Sequence, residues 1–350
     1  MPALTVRRVT LALRAPLRAA WGELRERELL RVRIEWAPGD WGEGEAAPLE
    51  PYDGVPLAAV RAALDAYAAL LADAPPDAEP GALLAACAAE RALPEALAAV
   101  DLALWDRLGR RAGQPVAALL AEVPAARVEV NATVAAADRA GAAAAAAAAR
   151  AAGFRCLKVK VGLGDDAGRL AAVRAAAGPA MGLRADANGA WRTPEEALAN
   201  LRALAPTGLE LCEEPVHGLA GLRAVRAEAP MPIALDESAA EPGALDAGAA
   251  DAVCLKVGRC GGITGLLDAA DLARASGMAV YVASSWDGPL GVAGAVHAAA
   301  ALAAGGPLLP CGLATLGIFS GPEADLLAPR EGAIAVPTGP GLLGGVARQP

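Results

Sequence analysis

Along this chain the spacing of apolar residues changes character once, near residue 123. Before that point, residues 3–12 and 27–36 alternate apolar and polar positions, the period of two that a half-buried strand requires, and the segment Arg14–Arg25 joins them. An antiparallel start is expected. The stretch Asp40–Pro51 (DWGEGEAAPLEP) is rich in Gly and Pro and reads as loop. From Val55 to about Leu120, Ala and Leu recur at three and four spacing, broken at Pro75, Pro76, Pro80 and Pro94. That pattern predicts about three helices, with LPEALAAVDLALWDRLGRR the clearest. After Val123 and Pro124, short apolar runs alternate with helical sequence: RVEVNATV, FRCLKVKV, MGLRADA, LELCEEP, MPIALDES, DAVCLKVG, MAVYVASS and LLPCGLA. Alternating βα units imply a parallel sheet, and about eight of them close a barrel. The fold class is therefore α/β, a (β/α)8-type barrel over residues 124–324 with a small N-terminal α+β domain over 1–123, which the Gly- and Pro-rich segment 325–350 returns to complete. Thr193, Pro194 and Glu196 form a capping box at one of the helix starts. An open doubly wound sheet is the competing arrangement, but no GxGxxG follows an early strand.

Composition removes several classes of function. A net charge of −9 with no basic block argues against nucleic acid and anionic membrane as partners. Much of the 55% hydrophobic content is Ala, and the Ala run at 142–149 is too short and too weakly apolar to span a bilayer. No charged n-region, apolar h-region and cleavage site open the chain, so a cytoplasmic location is expected. The six cysteines are scattered without a CxxC or a Cys/His cluster and are expected to be buried free thiols. Only His217 and His297 occur, neither beside an obvious nucleophile, which disfavours Ser-His-Asp and Cys-His mechanisms.

The lysines narrow the chemistry. Of 31 Lys and Arg residues only three are Lys, namely Lys158, Lys160 and Lys256, and all lie in the strand-like runs. Lys can release its proton when desolvated or crowded by cations, whereas Arg effectively cannot, so three lysines engaged in proton chemistry would explain the bias. Asp186, Glu213 and Asp236 end three successive predicted strands, about one βα unit apart, and should be neighbours on the C-terminal rim of the barrel. Three carboxylates outside any Cys/His cluster are hard oxygen ligands that favour Mg²⁺, or Mn²⁺, over zinc. Lys158 and Lys160 are two apart and share a strand face, and Lys256 lies on the strand opposite across an eight-stranded barrel. Mutual repulsion and a metal's charge would lower a lysine's pKa until it serves as a general base. A divalent ion between two lysines suits removal of a proton from the carbon next to a carboxylate, because the enediolate that forms carries two negative oxygens.

KVK at 158–160, DANGAW at 186–191, EEP at 213–215, DES at 236–238 and LKVGRCGG at 255–262 resemble, in order and spacing, the barrel motifs of the enolase superfamily, muconate-lactonizing-enzyme subgroup. The resemblance covers nearly the whole chain and implies a modified TIM barrel with an N-terminal α+β capping domain. It also implies that Asp186, Glu213 and Asp236 bind Mg²⁺, that Lys160 is the acid/base lysine with Lys158 its electrostatic neighbour, and that Lys256 stands on the opposite face. Asn188, Glu214 and Glu237 would support the metal ligands; many members have Gln where this chain has Glu214. Arg259, three after Lys256, also occurs in members that racemise N-acylamino acids. VASSWDGPLG at 282–291 and LPCGLATLGIF at 309–319 resemble o-succinylbenzoate synthases of the actinobacterial type. Dipeptide epimerases carry Asp-x-Asp on the eighth strand, where this chain has Gly312, Leu313, Ala314 and Thr315.

The resemblance thus implies syn-dehydration of 2-succinyl-6-hydroxy-2,4-cyclohexadiene-1-carboxylate to o-succinylbenzoate, in menaquinone synthesis. Racemisation or epimerisation comes next, then muconate-type cycloisomerisation; a non-catalytic binding relic would have lost a lysine or a carboxylate. Ser284, Ser285 and Gly312 are the expected contacts for an anionic side chain of the substrate. Arg18 and Trp21 lie in the first connecting loop, which in this family closes over the site. The expected partner is a small-molecule carboxylate, and the chain is compatible with a homo-oligomer.

Overall fold

The computed structural model describes residues 2–19, 22–75 and 77–346. The chain opens on an antiparallel sheet of β1 (Ala3–Ala19), β2 (Gly22–Ala37) and β3 (Asp40–Ala46), in that order. β1 and β2 pair from Ala3↔Glu35 to Ala19↔Gly22, with a register shift between Ala12 and Leu17. Most of Arg14–Arg25 is thus strand rather than a connecting loop, and the shifted stretch accommodates Pro16, which has no N–H to give a ladder. Arg18 sits on β1 opposite Glu23; Trp21 lies outside the described residues. The loop expected over Asp40–Pro51 is likewise mostly strand. Gly42 and Gly44 mark close packing rather than turns: a Cβ there would come 1.9 Å from the carbonyl oxygen of Ala103 and 2.1 Å from that of Ala99.

Five helices follow: α1 (Glu50–Asp53), α2 (Leu57–Ala72), α3 (Pro80–Glu90), α4 (Pro94–Ala112) and α5 (Val116–Leu120). Val60, Ala63, Leu64, Tyr67 and Leu71 recur at helical spacing and form the buried face of α2. They share a core with Leu30, Val32 and Ile34 of β2 and with Ala96, Ala99, Val100 and Ala103 of α4.

RVEVNATV, expected as one strand, is split into β4 (Arg127–Glu129) and β5 (Ala132–Val134). Between them Val130 N–H donates to Gly332 O at 2.9 Å and Asn131 N–H to Cys311 O at 2.9 Å, so the backbone changes partners there. The barrel then runs through α6 (Arg139–Ala151), β6 (Cys156–Lys160), α7 (Asp166–Ala177), β7 (Gly182–Asp186), α8 (Pro194–Leu204), β8 (Leu211–Glu213), α9 (Leu219–Glu228) and β9 (Ile233–Leu235). It continues with β10 (Ala252–Lys256), α10 (Ile263–Ala275), β11 (Ala279–Ala283) and α11 (Pro289–Gly305). Thr193 caps α8 by accepting from Glu196 N–H at 3.2 Å, while Glu196 reaches back to Arg192 N–H at 3.0 Å. β5 to β11 form one parallel sheet in consecutive order.

LLPCGLA does not supply a full eighth strand. The ring closes through two bridges, Val130↔Cys311 and Ala283↔Gly312, around a proline that cannot donate. No α-helix follows β9 either, where Pro242, Gly243 and Gly248 interrupt the sequence and only a 3₁₀ turn, Glu237–Ala240, forms. β12 (Ala333–Ala335) pairs antiparallel with β4. The segment beyond it returns to the N-terminal helices, with Leu342 N–H donating to Asp106 Oδ1 at 2.8 Å and Val116 N–H to Gly341 O at 3.3 Å. All six cysteines are free. No helix of the described residues is long and apolar enough to cross a membrane.

Candidate active site

Strand register brings the charged side chains together. Lys160 pairs with Asp186 across β6 and β7, and Asp186 with Glu213 across β7 and β8. Asp236 follows β9 directly and Lys256 ends β10. Side chains therefore converge on one rim from five consecutive strands, as their spacing in the sequence required.

Lys158 Nζ lies 2.8 Å from Asp186 Oδ2 and 2.6 Å from Glu213 Oε1, bridging the two carboxylates. Lys160 Nζ donates to Asp186 Oδ2 at 2.5 Å and to Asn188 Oδ1 at 2.6 Å. Lys256 Nζ bonds Asp236 Oδ1 and the Tyr52 hydroxyl, the latter at 2.5 Å, and Tyr52 in turn donates to Asp236 Oδ1 at 3.0 Å. Asn188 Nδ2 donates to Glu237 Oε1 at 2.9 Å, and Arg259 Nη2 to the carbonyl of Glu237 at 3.2 Å. Glu214 turns away from the lysines. It accepts from Asp236 N–H at 2.9 Å and from both N–H and O–H of Ser238, so it holds the turn that carries Asp236 and Glu237. Asn188 (φ 46°) and Glu214 (φ 40°) are both left-handed, an arrangement that side-chain-bearing residues keep only where neighbours over-determine it.

Without a metal the carboxylates set the titration of the two buried lysines. Burial works against the charge of Lys158 and Lys256, but Asp186 and Glu213 around the one and Asp236 beside the other hold both well above the usual lysine value. The ammonium groups of Lys158 and Lys256 each reach a carboxylate directly, which accounts for the direction of both shifts. Burial likewise opposes ionisation of Asp236, which Lys256 and Lys158 nonetheless keep below the ordinary range. Burial pushes Glu213 up to about 8 against the pull of Lys158, and pushes Glu237 up to about 7 with Asp236 adding repulsion.

The donor set fits a hard divalent cation. Glu213 and Asp236 are buried and offer ligand atoms within 4.8 Å of each other and of Cys254 Sγ. Burial raises the Cys254 thiol well above its ordinary value, and the carboxylate oxygens are the harder donors for such a cation. Asp186 adds a third buried carboxylate through its shared contact with Lys158. Glu237 Oε2 is buried with no hydrogen-bond partner, an acceptor that a cation would satisfy.

Two tyrosines in the site carried no signal in the sequence. Tyr52 comes from α1, far outside the barrel motifs, and Tyr281 from β11, where it reads as an ordinary apolar strand residue. Tyr281 Oη donates to Glu213 Oε2 at 2.7 Å from within the barrel, and Arg184 lies over its ring at 5.1 Å. Of the expected substrate contacts, Ser284 and Gly312 meet at the barrel closure, where Ser284 N–H donates to Gly312 O at 3.2 Å. The Ser284 hydroxyl accepts from Asp287 N–H at 2.9 Å, and the Ser285 carbonyl accepts from Arg27 at 3.3 Å. His217 is mostly exposed; its Nδ1 lies 3.4 Å from the buried Glu214, and its ring covers Gly189, where a Cβ would come 2.1 Å from Nε2.

Residues 141–346 match the family described as "Enolase C-terminal domain-like", and residues 1–121 match "Mandelate racemase / muconate lactonizing enzyme, N-terminal domain". The chain belongs to the enolase superfamily, and within it to the mandelate racemase/muconate lactonizing enzyme group with the muconate-lactonizing-type barrel. The L-Ala-D/L-Glu epimerase of Bacillus subtilis is 31% identical over 315 residues, covering 84% of this chain and 83% of the relative. The o-succinylbenzoate synthase of Mycobacterium tuberculosis is 40% identical over 221 residues; that match covers 60% of this chain and 64% of the synthase, less than two thirds of either. A dipeptide epimerase from Enterococcus faecalis, crystallised with Mg and the dipeptide L-Leu-L-Tyr, superposes with a TM-score of 0.86 at 26% identity over 97% of this chain and 98% of that one. The relatives are enzymes of one superfamily with different reactions.

Proposed function

We propose that the chain is a Mg²⁺-dependent enzyme that abstracts a proton alpha to a carboxylate. Its reaction would be the syn-dehydration of 2-succinyl-6-hydroxy-2,4-cyclohexadiene-1-carboxylate to o-succinylbenzoate. The observation that carries this reading is that all three lysines of the chain converge on three buried carboxylates at one rim. Asp186, Glu213 and Asp236 would hold the metal, with Asn188, Glu214 and Glu237 supporting them. When bound there, Mg²⁺ supplies positive charge that makes the substrate's α-proton more acidic.

The residues divide the remaining work by position. Lys160 has the most exposed of the three ammonium-bearing side chains and faces the open mouth, so its neutral amine takes the α-proton. The resulting ammonium returns that proton to the departing hydroxyl on the same face, and water leaves. Lys158, fixed between Asp186 and Glu213, keeps a positive charge beside Lys160. Lys256, enclosed by Asp236 and Tyr52, stays cationic opposite and offsets the enediolate's charge. The 40% identity to the mycobacterial synthase supports dehydration, as does the absence of any acid at 312–315, where a substrate ammonium would need one.

A second reading, racemisation or epimerisation, is favoured by one feature: two lysines on opposite sides are what a 1,1-proton transfer requires. The longer match to the Bacillus epimerase adds to it. The deciding experiment follows the ultraviolet absorbance of the cyclohexadiene carboxylate mixed with protein and Mg²⁺, beside EDTA and Lys160→Ala controls. Loss of the diene band that both controls abolish is the expected result. A folded, metal-loaded protein that leaves the band intact sinks dehydration, and deuterium exchange at the α-carbon of N-acylamino acids and dipeptides then tests the second reading.

A further inference from the structure

Three of the four described non-glycine residues with positive φ follow barrel strands at the site rim: Asn188, Glu214 and Trp286. The first two are accounted for by the carboxylate network. Trp286, at φ 58°, lies in the turn between β11 and α11, beside the serines expected to meet substrate. An aromatic residue keeps a left-handed backbone only when its surroundings impose it.

Besides the local bond from Asp287 N–H to Ser284 Oγ at 2.9 Å, a group from a distant part of the chain reaches this turn. Arg27 on β2 is 3% exposed, and the hydrogen bonds it makes all go to main-chain carbonyls. Its Nε donates to Trp286 O at 3.2 Å and its Nη2 to Ser285 O at 3.3 Å. The same guanidinium donates from Nη1 to Pro48 O at 2.8 Å and from Nη2 to Ala47 O at 2.7 Å. Residues 47–48 lead into α1, which presents Tyr52 to Lys256 and Asp236. Asp287, buried in the same turn, supplies compensating charge to Arg27, and Glu45 on β3 accepts from Leu290 N–H at 3.3 Å, at the start of α11. One planar fork thus spans two segments from different parts of the fold, both at the mouth of the site.

We propose that Arg27 is a positioning residue that locks the Tyr52 segment to the Ser284–Asp287 turn, so that the N-terminal sheet sets the spacing of the two walls between which substrate enters. This rests on the reading of the rim as an active site. The lock acts on backbone, and its geometry is therefore indifferent to which side chains the turn carries. A lysine at position 27 has a single nitrogen on a flexible stem and cannot hold both carbonyl pairs at once.

The test is amide hydrogen exchange on the full chain, comparing wild type with Arg27→Met and Arg27→Lys. In Arg27→Met, exchange is expected to rise at least about tenfold in peptides covering both 49–55 and 286–292, with α7 unchanged as reference. In Arg27→Lys, one or both of the two segments should lose protection. If Arg27→Met does not fold, Arg27→Lys alone decides. Wild-type protection of both segments in Arg27→Lys overturns the proposal, as does a rise in Arg27→Met that is confined to one segment or equal throughout the chain. In the diene assay, Arg27→Lys should raise KM by a larger factor than it lowers kcat; an unchanged KM with a reduced kcat counts against positioning. Absence of wild-type turnover would count against the proposed reaction and leave the exchange result to judge Arg27.

Discussion

The two sides of the site, one around Lys160 and one around Lys256, are built differently. Lys160 is held by Asp186 and Asn188, both from the neighbouring strand and the residues just after it, and its side chain is 29% exposed. Lys256 is held by Asp236 and by Tyr52, which lies 204 residues earlier in the chain, and its side chain is 8% exposed. The barrel makes the first side alone and leaves it open. The second side needs the N-terminal sheet and helices to close it. A lysine that must exchange protons belongs on the open side, whereas one that must stay charged benefits from a carboxylate and a hydroxyl in a dry enclosure.

The contrast is broken most sharply by Lys160→Ala, which should lower turnover in the diene assay by about 10²–10⁴-fold while leaving the melting temperature near wild type. An equal loss of activity and of fold would mean that the open side is structural.

The closed side depends on the N-terminal region and C-terminal segment staying docked, and His297 is one of the pins. On α11, its Nδ1 accepts from Ala117 N–H at 3.1 Å and its Nε2 meets Leu342 O at 2.9 Å. Burial holds its pKa down to about 4. The folded state therefore favours the neutral ring, and the unfolded chain binds the proton first as pH falls below about 6.5. Stability is fully present above that pH and declines as pH drops toward 4, by about 3 kcal/mol from this group. Urea unfolding between pH 7 and 4 measures it. In His297→Phe the slope over this window should be shallower by that contribution, whereas an unchanged slope would assign the acid sensitivity elsewhere.

Between the two sides, Tyr281→Phe removes only the hydroxyl that orients Glu213 and should weaken Mg²⁺ binding by about 10–100-fold, read by calorimetry. Unchanged affinity would show that Lys158 orients Glu213 sufficiently. The smallest effect is expected from Tyr52→Phe, which deletes one hydroxyl from the closed side. It should cost about 1–2 kcal/mol of stability in urea unfolding and leave the Lys160 half-reaction, followed by α-proton exchange, within a few-fold of wild type. A collapse of that exchange would show that the two sides are not independent.

The charged side chains of both sides are legible in the amino-acid sequence, and the enclosure of Lys256 by Tyr52 is not. Lys158, Lys160, Asp186, Glu213, Asp236 and Lys256 recur at strand ends one βα unit apart, and parallel pairing places successive strand ends side by side. Local periodicity thus carries the barrel and the cluster of charge within it. It fails where long-range packing overrules local pattern. Gly42 and Gly44 look like turn residues but sit in β3 because α4 packs against them too closely for a Cβ. RVEVNATV looks like one strand but divides where Val130 and Asn131 find partners in segments near 332 and 311. A full eighth strand and a helix after β9 are both expected from the pattern and both missing: bridges through Cys311 and Gly312 close the ring, and Pro242, Gly243 and Gly248 interrupt the segment after β9. Tyr52 and Arg27 leave no trace because the groups that tie them to the barrel lie 184 to 259 residues away, main-chain carbonyls for Arg27 and groups already assigned to the site for Tyr52. By itself the sequence determined which side chains could do chemistry and the strand ends that present them. Tertiary structure alone decided which of those groups are enclosed, because enclosure depends on a second part of the chain arriving at a distance that no local period encodes.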